Sequence, residues 1–200
     1  MSSEKNPTRD RILKATWSLL EEGGGNAVRM SDIAMAAQIS RQALYLHFPT
    51  RAELLGATTR YLDEVYDVDA LLIESRSAAT GSERLAAWVR AWGDYIPKIY
   101  GVAKALMAMQ DSDAEAAQAW SERMQAVRHG CAAAVAALEA DGTLNPMLGV
   151  DAATDVLMTL LSVRTWEDLC CDCGWSQADY ITRMQEISAR VLVMPIGARV

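Results

Sequence analysis

The chain is poor in the materials of β-structure. It has a single Phe and few runs of β-branched residues, which leaves little from which to build strands. Glycine (12) and proline (5) are too sparse for a collagen-like or low-complexity polymer. No apolar run is long enough to cross a bilayer: the charge-free stretch Val156–Val163 falls far short of the roughly 20 residues required. The opening, MSSEKNPTRDR, is polar and lacks an apolar signal core, so a cytoplasmic protein with no membrane association is expected. There is no internal repeat and no glycine-rich phosphate loop. Only four cysteines occur, and three of them (Cys170, Cys171 and Cys173) crowd into four residues, so a disulfide framework is not expected.

What is present points to helices. Apolar residues make up 51% of the 200 and charged residues 22%, enough for a core and too apolar for disorder. The apolar set is rich in Ala and Leu and includes ten Met, all good helix formers. The expectation is an all-α protein of about nine helices and no strand. Net charge is −7, which by itself speaks against a nucleic-acid partner. The charge is unevenly placed, however. Residues 1–60 hold eight Lys and Arg against six acids, a balance of +2, and the remainder carries −9. That asymmetry suits a nucleic-acid-facing head on an acidic body.

The spacing predicts a first helix over 7–22, with Pro7 in its first turn and Ile12, Ala15, Thr16, Leu19 and Leu20 on one face. Gly23-Gly24-Gly25 should end it by taking left-handed geometry. Ser31 is expected to cap a short second helix ending near Gln38. Ser40 should cap a third over 41–47, and Thr50 a fourth, with Glu53 completing a capping box. Further on, Leu85, Trp88, Val89, Trp92, Ile96 and Ile99 form a stripe that Pro97 and Gly101 should close, with a short helix over 102–109. Asp113 should cap a long helix to about Ala140. Asp151 should cap another running to about Cys173, and a last helix is expected from near Ser176 to Val193.

Residues 31–51 read SDIAMAAQISRQALYLHFPTR, two short helices about a tight turn, which are the proportions of a helix-turn-helix. Ala34 and Ala37 are small where helices cross, and Ile33, Ile39 and Leu44 supply a core. Arg41, Gln42, Tyr45 and His47 face outward on the second helix. Gln can read an adenine edge bidentately, and Arg and Tyr can bond phosphates. Together with Ile12, Ala15, Leu19, the glycine at 23 or 24, Asp32, Ser40, Phe48, Arg51, Leu54 and Leu55, this segment resembles the tetracycline-repressor (TetR) family of bacterial transcription regulators. The resemblance covers about residues 8–58. It implies a three-helix DNA-binding domain, assigned to 1–55, and a helical ligand-binding and dimerisation domain over 56–200. It further implies a recognition helix over 41–47, with Ser31, Arg41, Gln42, Ala43, Tyr45, His47 and Arg51 at the DNA. Two residues depart from the family pattern. Gln38 stands where a turn glycine is usual, tolerable if the turn avoids positive φ, and Arg51 replaces the commoner lysine.

The body is read from its aromatic and thioether side chains. Trp88, Trp92, Tyr95, Met107, Trp120 and Met124, with His129 as a polar group, are either core or the walls of an apolar pocket for a small effector. Leu157, Leu160, Leu161, Trp166, Ile181, Met184, Ile187 and Val191 leave the last two helices apolar on more than one side, as a homodimeric four-helix interface would need. The cysteines are read as small buried apolar residues, with only His129 and Cys131 as distant helpers for a metal. Neither cofactor nor metal is expected. The resulting expectation is a non-enzymatic, ligand-responsive regulator, a repressor that leaves a palindromic double-stranded operator when a small, largely apolar molecule binds. The rival readings are a constitutive DNA binder without inducer and a cysteine-based redox sensor or enzyme.

Overall fold

The computed structural model describes residues 6–23 and 28–194. Among these, the regular structure is helical, with one isolated antiparallel bridge between Leu144 and Val193 besides. Two compact units can be distinguished: one combines the chain up to Tyr66 with Ile99–Met124, and the other combines Asp67–Lys98 with the chain from Gln125 onward.

The first unit begins with α1 (Pro7–Glu22), capped by Asn6, whose side chain accepts from the amides of Thr8 and Arg9. Its C-terminal residue Gly23 keeps right-handed geometry (φ −74°), so the expected left-handed stop is not made there; Gly24 and Gly25 lie outside the described residues. α2 (Met30–Ala36) starts one residue before Ser31, with Arg29 at the cap position and no side-chain cap bond. Ser31 therefore sits inside the first turn, its hydroxyl 3.3 Å from the Asp32 carboxylate. α3 (Arg41–His47) is capped by Ser40, which accepts from the Ala43 amide, and α4 (Arg51–Val65) by Thr50, which accepts from the Glu53 amide. Ile12, Leu20, Ile33, Leu44, Leu54, Leu55 and Leu62 are almost fully buried and form the core between these helices. Val102, Leu106, Met109, Ala116 and Ala119 add buried surface from the 99–124 segment.

In the second unit, α5 (Val68–Leu71) and α6 (Ile73–Ser77) are short. α7 (Gly81–Met109) and α8 (Ala114–Ala140) are long, and each contributes to both units. The stripe from Leu85 to Ile99 and the helix expected over 102–109 thus belong to one helix. Pro97 cannot donate to the carbonyl of Gly93, four residues back, and normally breaks a helix for that reason. Here the Gln177 side chain donates to the Gly93 carbonyl at 2.8 Å, and the ladder continues. α9 (Val150–Leu160) is capped at Gly149 without a side-chain bond, so Asp151 lies in its first turn. It stops well before Cys173. Ser162 restarts the chain as α10 (Val163–Trp166), which runs into a π-helical turn over Glu167–Asp172. α11 (Gln177–Leu192) is capped by Ser176. Leu85, Val89, Ile96, Cys131, Val135, Leu138, Leu157, Leu161 and Met184 fill this unit's core.

Candidate nucleic-acid interface

The turn between α2 and α3 determines how α3 is presented. Gln38 is left-handed (φ +54°), its amide bonds the Met35 carbonyl, and the Ile39 amide bonds the Ala34 carbonyl at 3.0 Å. This pair of bonds is a Schellman closure, with Gln38 at the position that usually holds glycine. The condition that the turn avoid positive φ is not met. The closure lets Ser40 cap α3 and seats Leu44 in the core, fully buried.

Burying Leu44 turns the opposite face of α3 outward. Arg41, Gln42, Tyr45 and Leu46 are exposed, whereas Ala43 and His47 are half-buried. The His47 carbonyl accepts from Arg9, whose guanidinium lies 4.2 Å from the Phe48 ring centroid. Ser31, Arg41, Tyr45 and Arg51 line a shared cleft of about 420 Å³ with Arg29 and Asp113. Arg29 and Arg41 at this opening, with a serine and a tyrosine hydroxyl, offer groups chemically suited to phosphate oxygens, while Asp113 brings a carboxylate to the same cleft. Sequence reasoning left Leu46 out of this face, although it is 82% exposed. Its position opposite Leu44 was a usable signal.

Arg51 has a different setting from the other two arginines. Its Nη1 lies 2.8 Å from Asp113 and 3.3 Å from Glu115, and its Nε donates to the Val28 carbonyl. The side chain is only 11% exposed. Asp113 also accepts from the amides of Glu115 and Ala116, capping α8 as expected, while Glu115 accepts from the Ala52 amide. The guanidinium expected at the DNA is thus engaged by two carboxylates.

The expected pocket residues fall in both units. In the second, Trp88, Trp92 and Tyr95 are buried. Trp92 donates to the Leu161 carbonyl at 2.7 Å, and its ring lies 6.0 Å from that of Tyr95. Trp88 packs directly on Gly130, where a Cβ would collide with the indole. His129 is exposed and does not point a polar group inward, because α8 turns it away from the face that buries Val127 and Cys131. Met107, Trp120 and Met124 belong to the first unit and are half-buried. Of the residues expected to pair with a second copy, Leu157, Leu161, Trp166 and Met184 are buried within the protomer. Leu160, Ile181 and Val191 are half-buried, and Ile187 is exposed.

Only one of the four cysteines is buried as expected. Cys131 lies in the core, and burial pushes its thiol up to about 11. Cys170 is half-buried, its thiol raised by burial and then by neighbouring Cys171. Cys171 and Cys173 are exposed, because the π-helical turn carries them off the packed face. Cys170 and Cys173 stand at C-x-x-C spacing, but a raised thiol is the reverse of an activated thiolate. Among the described residues, no group of three or more His, Cys, Asp or Glu is placed to hold a metal ion, and no helix is long and apolar enough to cross a membrane.

Residues 12–58 match the family model described as bacterial regulatory proteins, tetR family. Over 57 residues the chain is 40% identical to the HTH-type transcriptional regulator CymR of Pseudomonas putida, a stretch covering 28% of each chain. It is 33% identical over 64 residues to the nucleoid occlusion factor SlmA of Marinomonas sp. (strain MWYL1), covering 32% of each. These matches span about a third of the relatives' length. Solved structures align along nearly the whole chain. A transcriptional regulator from Saccharomonospora viridis in complex with choline has a TM-score of 0.73 at 18% identity, covering 95% of this chain and 100% of that one. FadR from Bacillus subtilis in complex with stearoyl-CoA also has a TM-score of 0.73, at 17% identity and 91% and 98% coverage. At these identities the structures establish a shared fold.

Proposed function

We propose that the chain, whose residues 12–58 match the tetR family of bacterial regulatory proteins, is a homodimeric repressor of that family that leaves a palindromic operator when a small, largely apolar molecule binds its body. The observation that carries this reading is the outward face of α3, with Arg41, Gln42 and Tyr45 exposed beside a cleft of arginines. On it, Gln42 reads a base edge, while Arg41 and Tyr45 hold phosphates. Arg51, already paired with Asp113 and Glu115, positions α4 instead. Two copies would set their α3 helices about 34–36 Å apart, one turn of the double helix. Leu160, Ile187 and Val191 retain apolar surface for such pairing.

The acidic body and its buried tryptophans favour an apolar or cationic effector, since aromatic faces attract cations. Of the two similar structures, one holds choline, a quaternary ammonium, and the other stearoyl-CoA, which carries a long acyl chain. Effector and DNA then oppose each other through one coupling free energy, and each weakens the other's binding by the same factor. The role is regulatory, with no catalytic step assigned.

The reading is tested by selecting duplexes from a random pool with the purified protein, then titrating the winners with compounds found by thermal shift. A palindromic consensus and a stabilising compound that weakens operator binding are expected. A pool that never enriches would refute DNA recognition. A compound that stabilises the fold yet leaves operator affinity untouched would refute the sensor.

A further inference from the structure

Among the described residues, the large apolar side chains left exposed are Met35, Tyr45, Leu46, Val65, Ile73, Met147 and Ile187. Three of these seven fall between residues 35 and 46, in a stretch that is a small part of the chain. Isolated exposed apolar groups need no explanation, but a concentration on one motif does. Leu46 is the extreme case within it, 82% exposed on a helix whose other leucine, Leu44, is fully buried.

Helical periodicity shows where Leu46 points. At about 100° per residue, and with Leu44 marking the core direction, Gln42 lies at about 160° and Leu46 at about 200°. The two therefore straddle the outermost line of α3, one turn apart. Arg41 and Tyr45 lie nearer one flank, at about 60° and 100°, where phosphates would be met. When α3 enters a major groove, the first side chains to reach the base edges are Gln42 and Leu46. A leucine offers no hydrogen bond, and the one apolar feature of the major-groove edge is the thymine C5 methyl.

We propose that Leu46 is a specificity-determining residue that selects thymine through contact with its C5 methyl, within a base pair or two of the position read by Gln42. The distance follows from the helix: four residues rise about 6 Å, against about 3.4 Å between successive bases on a strand. The assignment rests on the reading of α3 as the recognition helix. It adds to that reading the chemistry of a second position in the operator.

The experiment uses the full chain and duplexes selected by it from a random pool. Each thymidine in the selected site is replaced singly by deoxyuridine, which removes only the methyl group. Affinity is measured for the natural chain, Leu46→Ala and Gln42→Ala. Replacement at one position per half-site should cost the natural chain about fourfold, the effect of one methyl-sized group returned to water. Leu46→Ala should bind the thymidine and deoxyuridine duplexes equally, while Gln42→Ala should keep the methyl dependence. Both substitutions are on exposed positions of α3 and leave its core face intact. Enrichment with no methyl dependence, or a dependence that survives in Leu46→Ala, would overturn the assignment while leaving DNA recognition standing. Failure to enrich any sequence would overturn both.

Discussion

Gln38 holds left-handed backbone with a side chain attached, at a cost of roughly 1–2 kcal/mol relative to a residue without Cβ. Glycine would remove that cost but add flexibility to the unfolded chain, offsetting part of the gain. Gln38→Gly should therefore raise stability by about 0.5–1 kcal/mol, read as a higher urea midpoint at unchanged slope. Arg51 makes the opposite case. Its removal would leave Asp113, only 16% exposed, facing Glu115 without the cation between them. Breaking a buried pair from one side costs about 3–5 kcal/mol, and the lower end applies because Asp113 keeps its two amide bonds. Arg51→Ala should thus lower stability by about 3 kcal/mol in denaturant titration, with the salt dependence of DNA binding unchanged. A salt slope reduced by about 1, with stability intact, would mark a phosphate anchor instead. The sequence identified both residues as departures from a family pattern. It could not show the carboxylates, which lie more than sixty positions away.

Helix boundaries divide into those set locally and those set at a distance. Asn6, Ser40, Thr50, Asp113 and Ser176 cap the helices that follow them through bonds spanning two or three residues. Such caps can be recognised from the chain alone. Pro97 is different, because the carbonyl it leaves unpaired is satisfied from α11, eighty-four residues further along. Gln177 also accepts from the Trp166 indole at 2.9 Å, so one amide serves both a freed carbonyl and a buried ring nitrogen. Gln177→Ala should cost about 2–3 kcal/mol, since each buried polar group left unpaired costs about 1–3. Gln177→Glu retains an acceptor for Trp166 but loses the donor to Gly93, and should also destabilise. Thermal denaturation of both variants, with tryptophan emission reporting on Trp166, checks this. Intact stability in Gln177→Ala would mean that α7 bridges Pro97 without this support.

For the molecule as a whole, buried thiol chemistry predicts a weakness in base. Burial lifts Cys131 from 9.0 to about 11, so the folded chain keeps a proton that the unfolded chain releases. The associated stability is complete below about pH 9 and is lost as pH rises toward 11, at about 1.4 kcal/mol per pH unit at most. Cys131→Ala should be less stable at neutral pH because of the lost packing, yet show a shallower decline between pH 9 and 11. Parallel slopes in the two proteins would remove Cys131 as the cause. The all-helical class, the helix-turn-helix and the outward set Arg41, Gln42 and Tyr45 were legible in the sequence, because periodicity, caps and turn chemistry act over a few residues. Tertiary structure decided what depends on contacts between distant segments. It paired Arg51 with the start of α8, carried α7 through Pro97, turned His129 outward, and buried Leu157, Leu161, Trp166 and Met184 within one protomer. An apolar pattern shows that a side chain needs a partner; only the packed chain shows whether that partner is its own core or another molecule.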